Sequence, residues 1–131
     1  PINFMAKTNN FKAVIEPTGF NIIDYLEIYR DFYEIGGLIA EIFDTLTTGV
    51  AIIAIQKPRG RDEAVGGERT LDKARLYLSI ESGKLKITKG KIWADKNTNP
   101  NGMFIGWTLA AGCKFHKLKD RFGNEKSWER E

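Results

Sequence analysis

The chain is nearly without thiol and imidazole: its 131 residues hold one cysteine, Cys113, and one histidine, His116. A single thiol cannot close an internal disulfide, and one thiolate with one imidazole falls short of the ligand set of a zinc site. Cys113 reads as a small core residue and His116 as a surface one. Long apolar runs are missing as well. None approaches the ~20 residues that cross a bilayer. The opening PINFMAKTNN has no basic stretch leading into an apolar one, so it does not read as a signal peptide. These absences argue against a membrane partner and for a reducing, cytoplasmic location.

What the sequence does hold is material for a core and a lopsided charge. Apolar residues make up 42% of the chain, enough for one domain to bury an interior, and 28% are charged. The net charge is +3, yet residues 1–56 carry three Lys/Arg against seven Asp/Glu, and residues 57–131 carry 17 against 10. The balance moves from −4 to +7 along the chain. A positive excess of this kind predicts an anionic partner for the second part, with a solubilising surface as the plainer alternative.

Residues 1–19 are mixed and close on the turn signal Pro17-Thr18-Gly19. Phe20 to Leu26 (FNIIDYL) reads as a short strand. Asp31 is placed to cap a helix of about four turns, in which Ile35, Leu38, Ile39, Ile42, Phe43 and Leu46 recur at helical spacing. Gly36-Gly37 weakens its first turn, Thr47-Thr48-Gly49 stops it, and Val50 to Ile55 forms the next strand. Strand, helix, strand implies a parallel βαβ unit with a right-handed crossover. The pattern then changes. Ala74 to Ile80 alternates with Leu76, Leu78 and Ile80 on one face, Glu81-Ser82-Gly83 turns, and Lys84 to Ile92 alternates with Leu85 and Ile87 inward and lysines outward. A polar loop, Asp95 to Gly102, leads to Met103 to Ala110. This half predicts an antiparallel meander over 74–115, followed by a frayed polar tail over 116–131. The fold class is therefore α/β, a short parallel section continued by antiparallel strands.

In an open α/β sheet, ligands bind beyond the carboxyl ends of the parallel strands. Asp24 and Gln56 stand at those ends and are expected to face one crevice. A carboxylate on an apolar strand is costly to bury without a compensating ion, and an amide can bond a phosphate oxygen or orient a water. After Gln56 comes a basic, glycine-bearing loop with Lys57, Arg59, Arg61, Gly66, Gly67 and Arg69. Glycines let backbone approach an anion and cations neutralise it, which suggests a mobile loop contacting nucleic-acid phosphates; solvated surface charge is the other reading. Tyr25, Trp93 and Trp107 read as packing residues.

At these positions the sequence resembles the RecA-like P-loop ATPases, the family of strand-exchange recombinases and hexameric replicative helicases. NIIDYLE is similar to the family's Walker B strand, and AIIAIQK to the strand that follows it. The nearest likeness is to the ATPase domains of phage and plasmid primase-helicases, where a GG-containing loop, an RLYL-like strand, a lysine-rich strand and NPNG come in this order. The resemblance spans roughly residues 11–115 and implies a partial RecA-like core. It implies that Asp24 holds Mg²⁺ through water, that Gln56 senses the γ-phosphate of ATP, and that residues 57–69 form a loop contacting single-stranded DNA. Lys89-Gly90-Lys91 matches in position the basic pair whose cations reach a neighbouring subunit's ATP, with Asn99-Pro100-Asn101-Gly102 as the turn beyond. Lys91 stands where arginine is usual, giving a point charge in place of a planar fork. A homo-oligomeric ring or filament is implied with it.

One motif of that family is absent. No G-x-x-x-x-G-K-[S/T] occurs, so there is no backbone cradle for phosphates and no lysine for the β/γ oxygens. The expectation is the C-terminal portion of an ATPase core that binds ATP and Mg²⁺ in the intact parent but neither tightly alone. The alternative is a non-enzymatic nucleic-acid-binding or assembly module derived from the same fold.

Overall fold

The computed structural model describes residues 2–27 and 31–131. The chain divides into two units, Pro1–Lys73 and Ala74–Glu131.

The first unit is built on two parallel strands, β1 (Phe20–Leu26) and β2 (Val50–Ile55), with helix α1 (Ile35–Thr45) between them in the chain. The predicted strand boundaries and the parallel pairing are both found. The helix is shorter than its apolar period suggests: Phe32–Glu34 is a 3-10 turn, and α1 proper has 11 residues. Asp31 occupies the cap position of that turn, but its side chain makes no capping bond; the Glu34 N–H donates to its carbonyl instead. On α1 the residues Ile35, Ile39 and Ile42 are buried at i, i+4 and i+7, one stripe of a 3.6-residue helix. They pack with Phe11, Ile15 and Leu26 into the core, and Ile23, Ile53 and Ile55 of the strands close on it.

Asn21 ties the entry of β1 down. Its amide donates to the carbonyls of Glu16 (3.0 Å) and Val50 (3.2 Å), and its Oδ1 accepts from the Glu16 N–H (2.9 Å). Near the other end the register shifts. Ile23 pairs with Ile53 and Leu26 with Ile55, so Asp24 and Tyr25 together oppose Ala54 alone. The Asp24–Tyr25 peptide is cis. A two-against-one bulge reverses side-chain parity beyond it, which turns Leu26 into the core.

The other face of this sheet is bare within its unit. Phe20 and Ile22 are each 66% exposed, and Val50 and Ile52, their cross-strand partners, 54% and 52%. Among the described residues, no further strand pairs with the outer edge of β1 or of β2.

The second unit is a sheet of β3 (Leu76–Glu81), β4 (Lys84–Gly90), β5 (Met103–Ala110) and β6 (Lys114–Lys117) in sequential antiparallel order. β7 (Glu129–Arg130) pairs with the start of β5. Glu81 pairs with Lys84 across the predicted hairpin, whose Gly83 takes a φ of +81° that suits glycine. Leu76, Leu78 and Ile80 share one face as their alternation requires, but that face is exposed within this unit, and Ser79 on the opposite face is buried. The lysine face of β4 also departs from expectation: the Lys86 side chain is only 15% exposed.

The segment after His116 is ordered by polar bonds, contrary to the frayed tail expected from its composition. The Asp120 carboxylate accepts from the N–H groups of Phe122 and Asn124, the Lys126 N–H donates to the Leu118 carbonyl, and the backbones of Lys119 and Glu125 pair in an isolated antiparallel β-bridge. Cys113 is exposed, so it is not the core residue its type suggested. Among the described residues, no helix is long and apolar enough to cross a membrane.

Candidate functional site

At the carboxyl ends of β1 and β2 lies an open cleft of about 400 Å³, lined chiefly by Tyr25, Leu26, Glu27, Phe32, Gln56 and Lys57. Ile35, Ile55, Pro58 and Val65 complete its wall. The position follows from the βαβ unit: both strands end on the same side, and the chain leaves each of them there. The bulge contributes too, because Tyr25 and Leu26 lie just beyond the extra residue and line the cleft.

Of the two polar residues expected to share a crevice, Gln56 lines this cleft and Asp24 is not part of its lining. Asp24 is exposed on β1, with the parity of the bare-face residues Phe20 and Ile22. The desolvation argument for a compensating ion therefore does not apply to it. Tyr25, read from the sequence as a packing residue, is half exposed and lines the cleft together with Glu27. The Tyr25 hydroxyl donates to Glu27 Oε1 at 3.1 Å, and that bond, with the nearby carboxylate charge, holds the phenol pKa above its usual value. The signal that finds Tyr25 is the bulge, which needs three-dimensional register to be seen.

The basic loop is a closed structure. The Val65 N–H donates to the Gln56 carbonyl at 3.0 Å, joining its two ends, and Lys57 Nζ donates to the Arg61 carbonyl at 2.7 Å across its span. Lys57 thereby serves the loop's own shape and the cleft wall. Arg59 and Arg61 are exposed on it, while the Arg69 guanidinium lies 5.0 Å from the centroid of the Tyr33 ring. The glycine pair anchors the loop rather than freeing it. Gly66 has a φ of +110°, and a Cβ there would stand 2.4 Å from Ile35 Cγ2 at the start of α1. Ala64 is buried, and the Thr70 hydroxyl donates to the Gly67 carbonyl at 2.7 Å.

Lys89 and Lys91 belong to the second unit, at and just beyond the end of β4. Gly90 between them is buried, and its N–H donates to Asn101 Oδ1 at 2.5 Å. The NPNG segment has a structural task there: the Gly102 N–H donates to the Ile87 carbonyl and the Met103 N–H to the Pro100 carbonyl, which locks the β4–β5 connection. Among the described residues, no three His, Cys, Asp or Glu side chains gather as a metal site.

Comparison with protein-family models, curated proteins and solved structures gave no match to this chain.

Proposed function

We propose that the chain is the C-terminal portion of an ATP-dependent single-stranded-DNA motor with a RecA-like core, inactive as an ATPase by itself. The observation that carries this reading is the double duty of Gln56. It lines the cleft beyond two parallel strands, and its carbonyl closes the basic loop through Val65. A phosphate bound by the Gln56 amide acts on the same residue that sets the loop's two ends, so ligand occupancy and loop position are coupled. Arg59 and Arg61, exposed on that loop, neutralise phosphates of single-stranded DNA.

Asp24 offers one exposed carboxylate, with no cluster around it among the described residues. That donor set fits Mg²⁺ only in its phosphate-bound mode, where one carboxylate and several waters complete a shell begun by phosphate oxygens. Asp24 would hold such an ion through water only outside the lining of the cleft where Gln56 stands, so as placed the two residues do not share one phosphate-bound ion. Lys89 and Lys91 act on the nucleotide of a neighbouring subunit in a ring or filament. Within its unit the β1–β2 pair has a bare face and, among the described residues, no further strand at either edge, which supports a partial core, since parallel sheets are stable when both faces are covered.

The missing G-x-x-x-x-G-K-[S/T] favours a second reading, a non-enzymatic nucleic-acid-binding or assembly module of the same fold. Anisotropy of a labelled oligothymidylate tests what the two share. Arg59→Ala with Arg61→Ala is expected to weaken binding and to reduce the log–log salt slope by about 1.4, or ~0.7 for each phosphate that is no longer neutralised. Unchanged binding would falsify both. A G-x-x-x-x-G-K-[S/T] motif encoded upstream in the same gene selects the motor. ATP turnover by the purified chain, abolished by Asp24→Asn, would overturn its predicted inactivity.

A further inference from the structure

On β4, Lys84 and Lys86 point to one face of the antiparallel sheet, and the carboxylate of Glu131 sits between them. Glu131 Oε1 accepts from Lys84 Nζ, and Oε2 accepts from Lys86 Nζ at 2.5 Å. Lys84 Nζ also lies 4.6 Å from the centroid of the Phe104 ring, which stands opposite Lys86 in the β4–β5 pairing. Glu81 and Ser79 face the two lysines from β3. Two ammonium groups, one on each oxygen of a single anion, form an arrangement that suits a phosphate as well as a carboxylate.

Apart from its two lysine contacts, Glu131 is held through β7. β7 pairs, among the described residues, with Met103 and Phe104 and is exposed throughout. Its anchor is Arg130, whose guanidinium donates to the carbonyls of Asn101 (2.9 Å) and Asn99 (2.5 Å). Short, exposed pairings of this kind open at low free-energy cost. The two lysines pull the Glu131 carboxyl down to a pKa of about 2, so it is fully ionised and competes as an anion at neutral pH.

We propose that Lys84 and Lys86 form a phosphate-binding site that β7 closes, with the Glu131 carboxylate standing in for the ligand. The phosphate is either a free polyphosphate or a phosphodiester of single-stranded nucleic acid. Binding exchanges one ion pair for another: β7 swings away, Glu131 enters water, and the phosphate oxygens take the lysine protons' hydrogen bonds. This site lies wholly within residues 84–131 and does not depend on the reading of Gln56 and its loop.

Titration calorimetry of the whole chain with inorganic tripolyphosphate, and separately with a short oligothymidylate, tests it. Glu131→Gln keeps the shape and removes the competing charge, and should bind about three- to tenfold more tightly than the native chain. Arg130→Ala, which releases β7 without touching the lysines, should shift affinity in the same direction. A gain with tripolyphosphate assigns a free polyphosphate; a gain with oligothymidylate assigns the nucleic-acid backbone. Lys84→Ala with Lys86→Ala should abolish the gain, and Lys84→Met alone, at the less buried lysine, should reduce it. No gain in either titration, or a gain that survives loss of the lysines, overturns the proposal. Because Arg59 and Arg61 lie in the other unit, their substitution leaves this gain in place, and the two proposals fail separately.

Discussion

The two units hold together by different means. Residues up to Lys73 close around Phe11, Ile15, Leu26, Ile35, Ile39 and Ile42, a core to which α1 supplies three isoleucines on one stripe. In residues 74–131, Ile105 is the single buried apolar side chain among those described. Strand pairing and polar locks at Asn101, Asp120 and Arg130 do the rest. Burial is non-directional and scales with the apolar area removed from water, whereas a lock depends on one donor meeting one acceptor. The first unit should therefore answer to lost volume, and the second to lost hydrogen bonds and to pH.

The protein carries a built-in way to follow the units apart. Trp93, Trp107 and Trp128 all lie after residue 73, and α1 lies before it. Tryptophan fluorescence reports the second unit, and helical ellipticity the first. Ile42→Ala, at a residue 1% exposed, should cost about 2–5 kcal/mol in the urea transition followed by ellipticity, with a smaller change by fluorescence. Equal shifts in both signals would break the comparison, because the units would then unfold as one. Gly66→Ala comes next, at about 2 kcal/mol or more, since it combines a disfavoured φ with a clash on Ile35; it too should appear first in ellipticity. Asn101→Ala reverses the pattern. It strands the N–H of buried Gly90, should cost about 1–3 kcal/mol, and should move the fluorescence transition.

The smallest effect is that of pH on the second unit. The Glu131 carboxyl is lowered from 4.5 to about 2 by Lys84 and Lys86. Its stabilising contribution is complete above pH ~4.5 and is lost as pH falls toward ~2, where the folded group protonates. Fluorescence-detected stability should decline across that window more in the native chain than in Glu131→Gln. An identical decline would mean that the exposed pair contributes nothing measurable.

Legibility in the sequence follows the same division. FNIIDYL and VAIIAI declare β1 and β2 by apolar content, and the isoleucine spacing declares α1, because burial writes itself into residue type. Gly36-Gly37 marks the first turn of the helix, which is where the 3-10 turn gives way to α1. The bulge at Asp24 and Tyr25 leaves no such mark: parity reverses in space while the letters run on unchanged. Hence Gln56 is legible at the cleft, Asp24 is expected there and lies outside its lining, and Tyr25 is expected in the packing and lines the cleft. β6 and β7 escape the sequence pattern for a different reason. Their residues are exposed; β6 is fixed by its hairpin pairing with Trp107 to Ala110, and β7 by pairing with Met103 and Phe104 and by the Arg130 bonds to partners distant in sequence.

The uncovered edge of β2 has a bearing on the behaviour of the chain in the test tube. VAIIAI carries no charge and no proline, its outer backbone groups meet no strand among the described residues, and Val50 and Ile52 are half exposed within their unit. Six such residues are the kind of template on which further copies stack edge to edge. The shelf life of the isolated polypeptide is then a question of concentration and time rather than of melting temperature. Ile52→Lys, on the face away from α1 and its core, should lengthen it.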